Sequence, residues 1–213
     1  MGEIIPIREP LKRPNLFCVG PMGSGKSTIA RTLEERFGYR RFALADPLRQ
    51  MRSAVFSDTV AHGDRAFLQA VGEGARTSDP LFWIKILADR IGALPPDCPW
   101  VVDDVRQPAE VFWLLDQGAI PLIVTAPGPV RQERLTLRDG TPPTLDAFYH
   151  ITEVWARLLQ TTILVDTSCI RLETGYMTQE EVRDMISEEF IEECQVVQEL
   201  SEEHNLMEDD DEI

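Results

Sequence analysis

Short apolar runs alternate with amphipathic stretches along most of the chain. Asn15-Leu-Phe-Cys-Val19 is a continuous apolar run of the kind that forms a buried parallel strand. Ser27 to Phe37 carries Ile29, Ala30, Leu33 and Phe37 at helical spacing, and Gly38 ends the pattern. Tyr39 to Ala45 predicts a second strand. Asp46-Pro47 then offers an N-cap and a proline at N1 for a helix continued by Leu48, Met51, Arg52 and Val55. Arg65 to Val71 is helical, and Asp79-Pro80 repeats the device before a helix from Leu81 to Ile91 that Gly92 and Pro95-Pro96 close.

Trp100 to Asp104 predicts a third strand and Pro108 to Gln117 a helix. Ile120 to Thr125 is a fourth strand, in which Pro121 demands either the first residues or an edge position. Helices are expected over Pro129 to Arg138 and from about Leu145 to Leu159, with a last short strand at Thr162 to Val165. Thr178 and Glu181 form a capping box. Beyond it Val182, Ile186, Phe190, Val197 and Leu200 keep one apolar stripe on a long acidic helix. The expected fold is α/β: a doubly wound parallel sheet of about five strands, helices on both faces, and ligands at the carboxyl ends of the strands.

A chain of 213 residues buries one good core and leaves little for a second full domain. The expected organisation is a loose lead-in over 1–14, a main domain over 15–177, and an acidic amphipathic helix with a disordered tail over 178–213. The net charge of −15 is local: 15 of the 36 acids but only Arg183 among the 21 basic residues lie after Met177. The body is therefore nearly neutral, which leaves room for an anionic substrate. No basic face for duplex nucleic acid is visible. Cys18, Cys98, Cys169 and Cys194 lack disulfide or metal-ligand spacing, and His62, His150 and His204 have no companions at such spacing. With no apolar run near membrane-span length and no leader-like start, a cytoplasmic protein with reduced thiols is expected.

The chemistry gathers at Gly20-Pro-Met-Gly-Ser-Gly-Lys-Ser27, which fits G-x-x-x-x-G-K-[ST], the phosphate-binding P-loop. An ordinary glycine-rich turn would match the pattern alone; here strand, loop and helix also occur in the required order. The glycines let backbone N–H groups turn inward around an anion, and the helix N-terminus adds positive potential. Gly20, Gly23, Ser24, Gly25, Lys26, Ser27 and Thr28 are the candidate ATP-binding residues. Lys26 is expected on the β- and γ-phosphates and the Ser27 hydroxyl on Mg²⁺.

A second Mg²⁺-organising acid is expected at the end of the third strand, Asp103 or Asp104, with Asp104 favoured and a helix-capping role as its rival. Arg49, Arg76, Arg106, Arg131, Arg134 and Arg138 fall near strand ends, where planar doubly donating groups suit phosphate oxygens. Each is also an ordinary surface residue until placed. Phe67, Phe82, Trp83 and Trp113 read as core aromatics. No nucleophile–base set is evident, and phosphoryl transfer needs none.

Several segments together resemble the phage-type deoxynucleoside monophosphate kinases, relatives of the adenylate kinase group. They are Gly20–Ser27, Phe42-Ala-Leu-Ala-Asp-Pro-Leu-Arg49, Leu68-Gln-Ala-Val-Gly-Glu73 with Arg76, and Asp79-Pro-Leu-Phe-Trp83. Asp104-Val-Arg-Gln107 with Glu110, Gly118-Ala119-Ile120 and His150-Ile-Thr-Glu153 continue the series. The resemblance covers about residues 15 to 170 and implies an adenylate-kinase-like P-loop fold that transfers a phosphoryl group from ATP, with Mg²⁺, to a deoxynucleoside monophosphate. It implies a monophosphate-binding region over about 46–92 and a lid over about 128–150. Asp46, Arg49, Gln69 and Arg76 would hold acceptor sugar, phosphate or base, with Trp83, Asp104 and Glu153 also counted among the substrate-binding residues. Arg106 would take the acceptor phosphate, and Arg131 and Arg134 would act in transfer beside Lys26. In this reading the protein is a small-molecule enzyme of the cytoplasm (a host's, if phage-encoded), with no membrane partner and a possible homodimer. The alternatives are a P-loop kinase for another phosphorylated acceptor such as dephospho-coenzyme A, and a non-catalytic nucleotide-dependent interaction protein. A GTPase switch lacks support because no N-K-x-D motif occurs.

Overall fold

The computed structural model describes residues 13–55, 64–148, 151–164 and 167–210. Five strands form one parallel sheet in the order β2-β3-β1-β4-β5. They are β1 (Leu16–Val19), β2 (Arg40–Phe42), β3 (Trp100–Val105), β4 (Ile120–Thr125) and β5 (Ile170–Glu173). Between them run α1 (Lys26–Phe37), α2 (Asp46–Val55), α3 (Asp64–Ser78), α4 (Phe82–Gly92), α5 (Pro108–Asp116) and α6 (Gly128–Asp139). Two short helices, α7 (Leu145–Phe148) and α8 (Ile151–Leu158), lead into a π-helical turn at Leu159–Ile163. The chain continues through α9 (Gln179–Met185) and α10 (Glu188–Asp210). The parallel sheet with helices on both faces is the expected fold class.

Strand alternation divides the core between two faces. Leu16, Cys18, Val101, Ile120, Leu122 and Val124 pack under Ile29, Ala30, Leu33 and Phe37 of α1, so the helical stripe read from the sequence is the buried one. Phe17, Val19, Val102, Val105 and Ile123 face the opposite way, against Leu48, Trp83, Leu87, Val111, Leu114, Leu159 and Leu164. Gly38 ends α1 in the left-handed region (φ 69°), its N–H donating to the Leu33 carbonyl. Pro121 is the second residue of β4, which lies between β1 and β5, so the first-residues alternative holds and the edge alternative does not.

Two expectations need correction. Thr162 to Val165 is not the last strand. Its residues through Ile163 close the π-helical turn, with Leu164 N–H donating to the Leu159 carbonyl at 2.9 Å, and Val165 lies outside the described residues. The fifth strand is Ile170–Glu173, whose alternating burial marks a strand at the edge of the sheet. A continuous apolar run is what a buried strand shows; an edge strand needs only every second residue apolar, and Arg171 and Glu173 disguised it.

The acidic helix is also two helices. Ile186 adopts an extended conformation (ψ 93°), and α10 restarts at Ser187, whose carbonyl accepts from Ile191 N–H. The break lets Val182, Ile186, Phe190, Ile191 and Cys194 all reach the sheet face beside α1. The lead-in over 1–12, His62, His150 and the last three residues of the acidic tail lie outside the described residues, as does the side chain of His204; the helical backbone reaches Asp210.

Phe190→Ala should lower unfolding free energy by about 3–5 kcal/mol, as for other buried aromatic truncations. Leu200→Ala, at a position 56% exposed, should change it by less than about 0.5 kcal/mol. Urea denaturation of the two variants checks both.

Candidate phosphoryl-transfer site

The C-terminal ends of the strands deliver the functional side chains to one edge of the sheet. β1 runs into the P-loop, whose path depends on glycine. A Cβ on Gly20 would lie 2.1 Å from the Val124 carbonyl oxygen at the end of β4, and Gly25 sits at φ 100° as the N-cap of α1. The loop is therefore pressed against β4. Lys26 is buried and donates to the carbonyls of Gly20 and Pro21, both at 2.7 Å. Burial, reinforced by the nearby Arg106 guanidinium and opposed by Glu153, lowers its pKa to about 8.

The residues present fit a triphosphate with Mg²⁺. Ser24 Oγ is buried with no hydrogen-bond partner, Gly20 and Gly23 leave no room for a side chain, and Ser27 is exposed on the first turn of α1. Among the described residues no group of three or more His, Cys, Asp or Glu side chains could hold a metal unaided. A Mg²⁺ ion would therefore draw on Ser27 and phosphate oxygens, neutralising charge there.

Beside the loop, Glu153 of α8 is 2% exposed and surrounded by positive groups. Its Oε2 accepts from the Met22 N–H of the P-loop at 2.7 Å, its Oε1 pairs with Arg106, and Arg131 stands 4.0 Å away. Arg131 itself is buried, donates to the Met22 carbonyl at 3.2 Å, and lies over the Phe148 ring with its guanidinium carbon 4.5 Å from the centroid. Lys26, Arg106 and Arg131, three of the four residues assigned to transfer, thus converge.

Arg134, the fourth, is used differently. It donates to the Thr174 carbonyl at 2.6 Å, the Met177 carbonyl at 2.9 Å and Thr174 Oγ1 at 3.0 Å. Thr174 Oγ1 in turn donates to the Ser24 carbonyl at 2.7 Å. Arg134 is a strut joining α6, the P-loop and the turn after β5. Arg138 is exposed and paired with Asp139.

The two acids of β3 do not alternate as regular strand residues would. β3 holds one extra residue opposite β1, because Phe17 aligns with Val102 and Val19 with Val105. This bulge turns both carboxylates toward β2 and the turn after it. Asp103 pairs with Arg41 at 2.8 Å. Asp104 accepts from the N–H groups of Leu44 at 2.6 Å and Ala45 at 3.0 Å, just ahead of α2. Burial and the neighbouring Asp103 charge push Asp104 up to about 6. As the molecule stands, Asp104 braces the start of the 46–92 region, and of the two β3 acids it is Asp103 whose charge reaches Lys26.

Within that region Asp46 accepts from the Ala43 N–H and pairs with Arg49 at 2.7 Å, both near the surface. Arg76 pairs with Glu110 at 3.0 Å, and Glu110 also accepts from the N–H groups of Arg106 and Gln107, capping α5. Arg76 and Arg106 are therefore joined through one carboxylate. Gln69 is half-buried on α3. Trp83 is 3% exposed, with its indole N–H on the Gly72 carbonyl at 3.0 Å, so it supports this region from behind. Sequence reasoning missed Thr174, Arg41 and Phe148. Nothing local distinguishes a threonine after a disguised edge strand; the Arg41 pairing depends on the bulge.

Gly20→Ala should cost about 1–3 kcal/mol of stability and abolish triphosphate binding, because the added carbon meets rigid backbone. Gly92→Ala, with nothing within 4 Å of the new Cβ at the end of α4, should be neutral or stabilise by up to about 1 kcal/mol. Thermal unfolding together with nucleotide titration separates the two.

Residues 17–148 match the family model described as AAA domain. Uncharacterized protein ORF76 of Ictalurid herpesvirus 1 (strain Auburn) is 29% identical over 145 residues, 67% of this chain and 60% of that protein. Shikimate kinase of Xanthomonas oryzae pv. oryzae (strain PXO99A) is 45% identical over 58 residues, 26% of this chain and 32% of that enzyme. The chain thus spans under two thirds of the length of either relative. Among solved structures, a gluconokinase from Sinorhizobium meliloti 1021 gives a TM-score of 0.49 at 15% identity, covering 93% of this chain and 99% of that one. No helix among the described residues is long and apolar enough to cross a membrane. With the family model matched over more than half of its length, around a P-loop whose geometry is that of a phosphate cradle, the chain belongs to the AAA domain family.

Proposed function

We propose that the protein is a deoxynucleoside monophosphate kinase, converting ATP and a deoxynucleoside monophosphate to ADP and the diphosphate. The observation that carries this reading is that the P-loop with its buried Lys26 adjoins a buried carboxylate, Glu153, which holds Arg106 and lies 4.0 Å from Arg131 and whose charge reaches Lys26. A phosphoryl group in flight spreads negative charge over its equatorial oxygens, and fixed cations in a dry cleft stabilise that charge without reorganising. Lys26 and the loop amides would hold the donor, with Ser27 on Mg²⁺. Arg106 stands between this position and Arg76, linked through Glu110, as a bridge from donor to acceptor side. Arg49 and Asp46, near the surface at the start of α2, would meet the acceptor.

A phosphate acceptor suits this site because its attacking oxygen is already anionic, so no base must remove a proton. A hydroxyl acceptor is the second reading, favoured by the sequence likeness to shikimate kinases. It would need a base to take the hydroxyl proton.

Purified protein mixed with Mg·ATP and each deoxy- or ribonucleoside monophosphate, with shikimate and gluconate alongside, should release ADP only with a monophosphate. Lys26→Ala should reduce that turnover by roughly 100-fold or more, as loss of a principal transition-state donor does. Turnover with shikimate or gluconate alone would replace the acceptor assignment. ATP binding without acceptor-dependent turnover would remove it.

A further inference from the structure

Glu153 gathers, beside the P-loop, the kind of donors that a phosphoryl group draws on. An anion in this cleft would be met by the Met22 amide, Arg106 and Arg131, and the Glu153 carboxylate is met by those same three groups. Its field also reaches Lys26, whose charged form it favours. It approaches from α8, outside the P-loop and outside the acceptor region. The carboxylate is buried, so its charge is not dissipated by water. A triphosphate entering the cradle would place several negative charges beside it. Like charges in a dry site repel strongly, and the amide and arginine donors cannot serve both anions with their full strength.

We propose that Glu153 is an internal stand-in for the transferred phosphate. Its carboxylate occupies the phosphoryl position in the nucleotide-free protein, keeps Arg106 and Arg131 aimed at that point, and yields them when the substrate phosphates arrive. Glu153 is thus a positioning residue, not a group that contacts the reacting atoms, and it competes with phosphate binding. Holding the cations pre-aimed offsets their mutual repulsion, at the cost of weaker phosphate affinity. The inference rests on the phosphoryl-transfer reading of the site.

Its test is calorimetric titration of wild type, Glu153→Gln and Glu153→Asp with Mg·ATP and with pyrophosphate, each repeated in a Lys26→Ala background. Glu153→Gln removes the competing charge while keeping the shape, and should bind both ligands at least about tenfold more tightly than wild type, the smallest effect expected of a close buried charge pair. Glu153→Asp should stay close to wild type, and Lys26→Ala should abolish binding throughout. Unchanged or weaker binding by a folded Glu153→Gln would overturn the inference, since a structural or substrate-holding role can only lose affinity. Should that variant not fold, hydrogen–deuterium exchange on the wild type decides. Pyrophosphate should protect the P-loop amides while raising exchange over Ile151–Leu158; protection of both segments would overturn the stand-in. If no variant binds either ligand, the kinase reading itself falls, an outcome distinct from equal binding by wild type and Glu153→Gln.

Discussion

Gathering like charges in a dry cleft is unfavourable unless an anion sits among them. Lys26, Arg106 and Arg131 are gathered around Glu153 in that way, and burial, with the Arg106 charge beside it, holds the pKa of Lys26 down to about 8. Much of the surrounding structure makes this cluster tolerable. Two loop carbonyls hold the lysine, an aromatic ring underlies one arginine, and the Glu153 carboxylate links the other to the loop. Glycine at Gly20 permits the close packing on β4 that sets the loop's position. The cluster and the sheet edge beneath it therefore stand or fall together.

Much of this was legible in the residue order. β1, the P-loop and α1 announce themselves because continuous burial, obligatory glycines and a helical stripe leave separate marks on adjacent residues. β4 was equally plain. Failures came where one pattern has two causes. The apolar run at Thr162 looked like a buried strand but closes a π-turn, while Ile170–Glu173 hid because an edge strand shows only half its side chains to the core. The division of the acidic helix at Ser187 was signalled by a serine followed by two acids, a helix start overlooked within a longer acidic run.

The site was legible by residue type more than by role. The lysine and the arginines were identifiable, yet the difference between Arg131, which faces the anion position, and Arg134, which braces carbonyls, depends on which turn of α6 meets the loop. The acids of β3 illustrate the same limit. Alternation assigns one of two neighbours inward, but a one-residue bulge sends both to β2 and the turn after it, and register of that kind is decided by pairing across the sheet.

The docking of α9 and α10 has a consequence for biosynthesis. Phe190, Ile191 and Cys194 complete the sheet face that α1 begins, and they are among the last buried residues of the described chain. A ribosome delivers strands β1 to β5 well before their final cover, so the nascent sheet must wait with one apolar flank partly bare. The dense acidity of that closing helix gives the waiting chain a strongly charged segment, which opposes association between copies until the helix folds onto its own sheet.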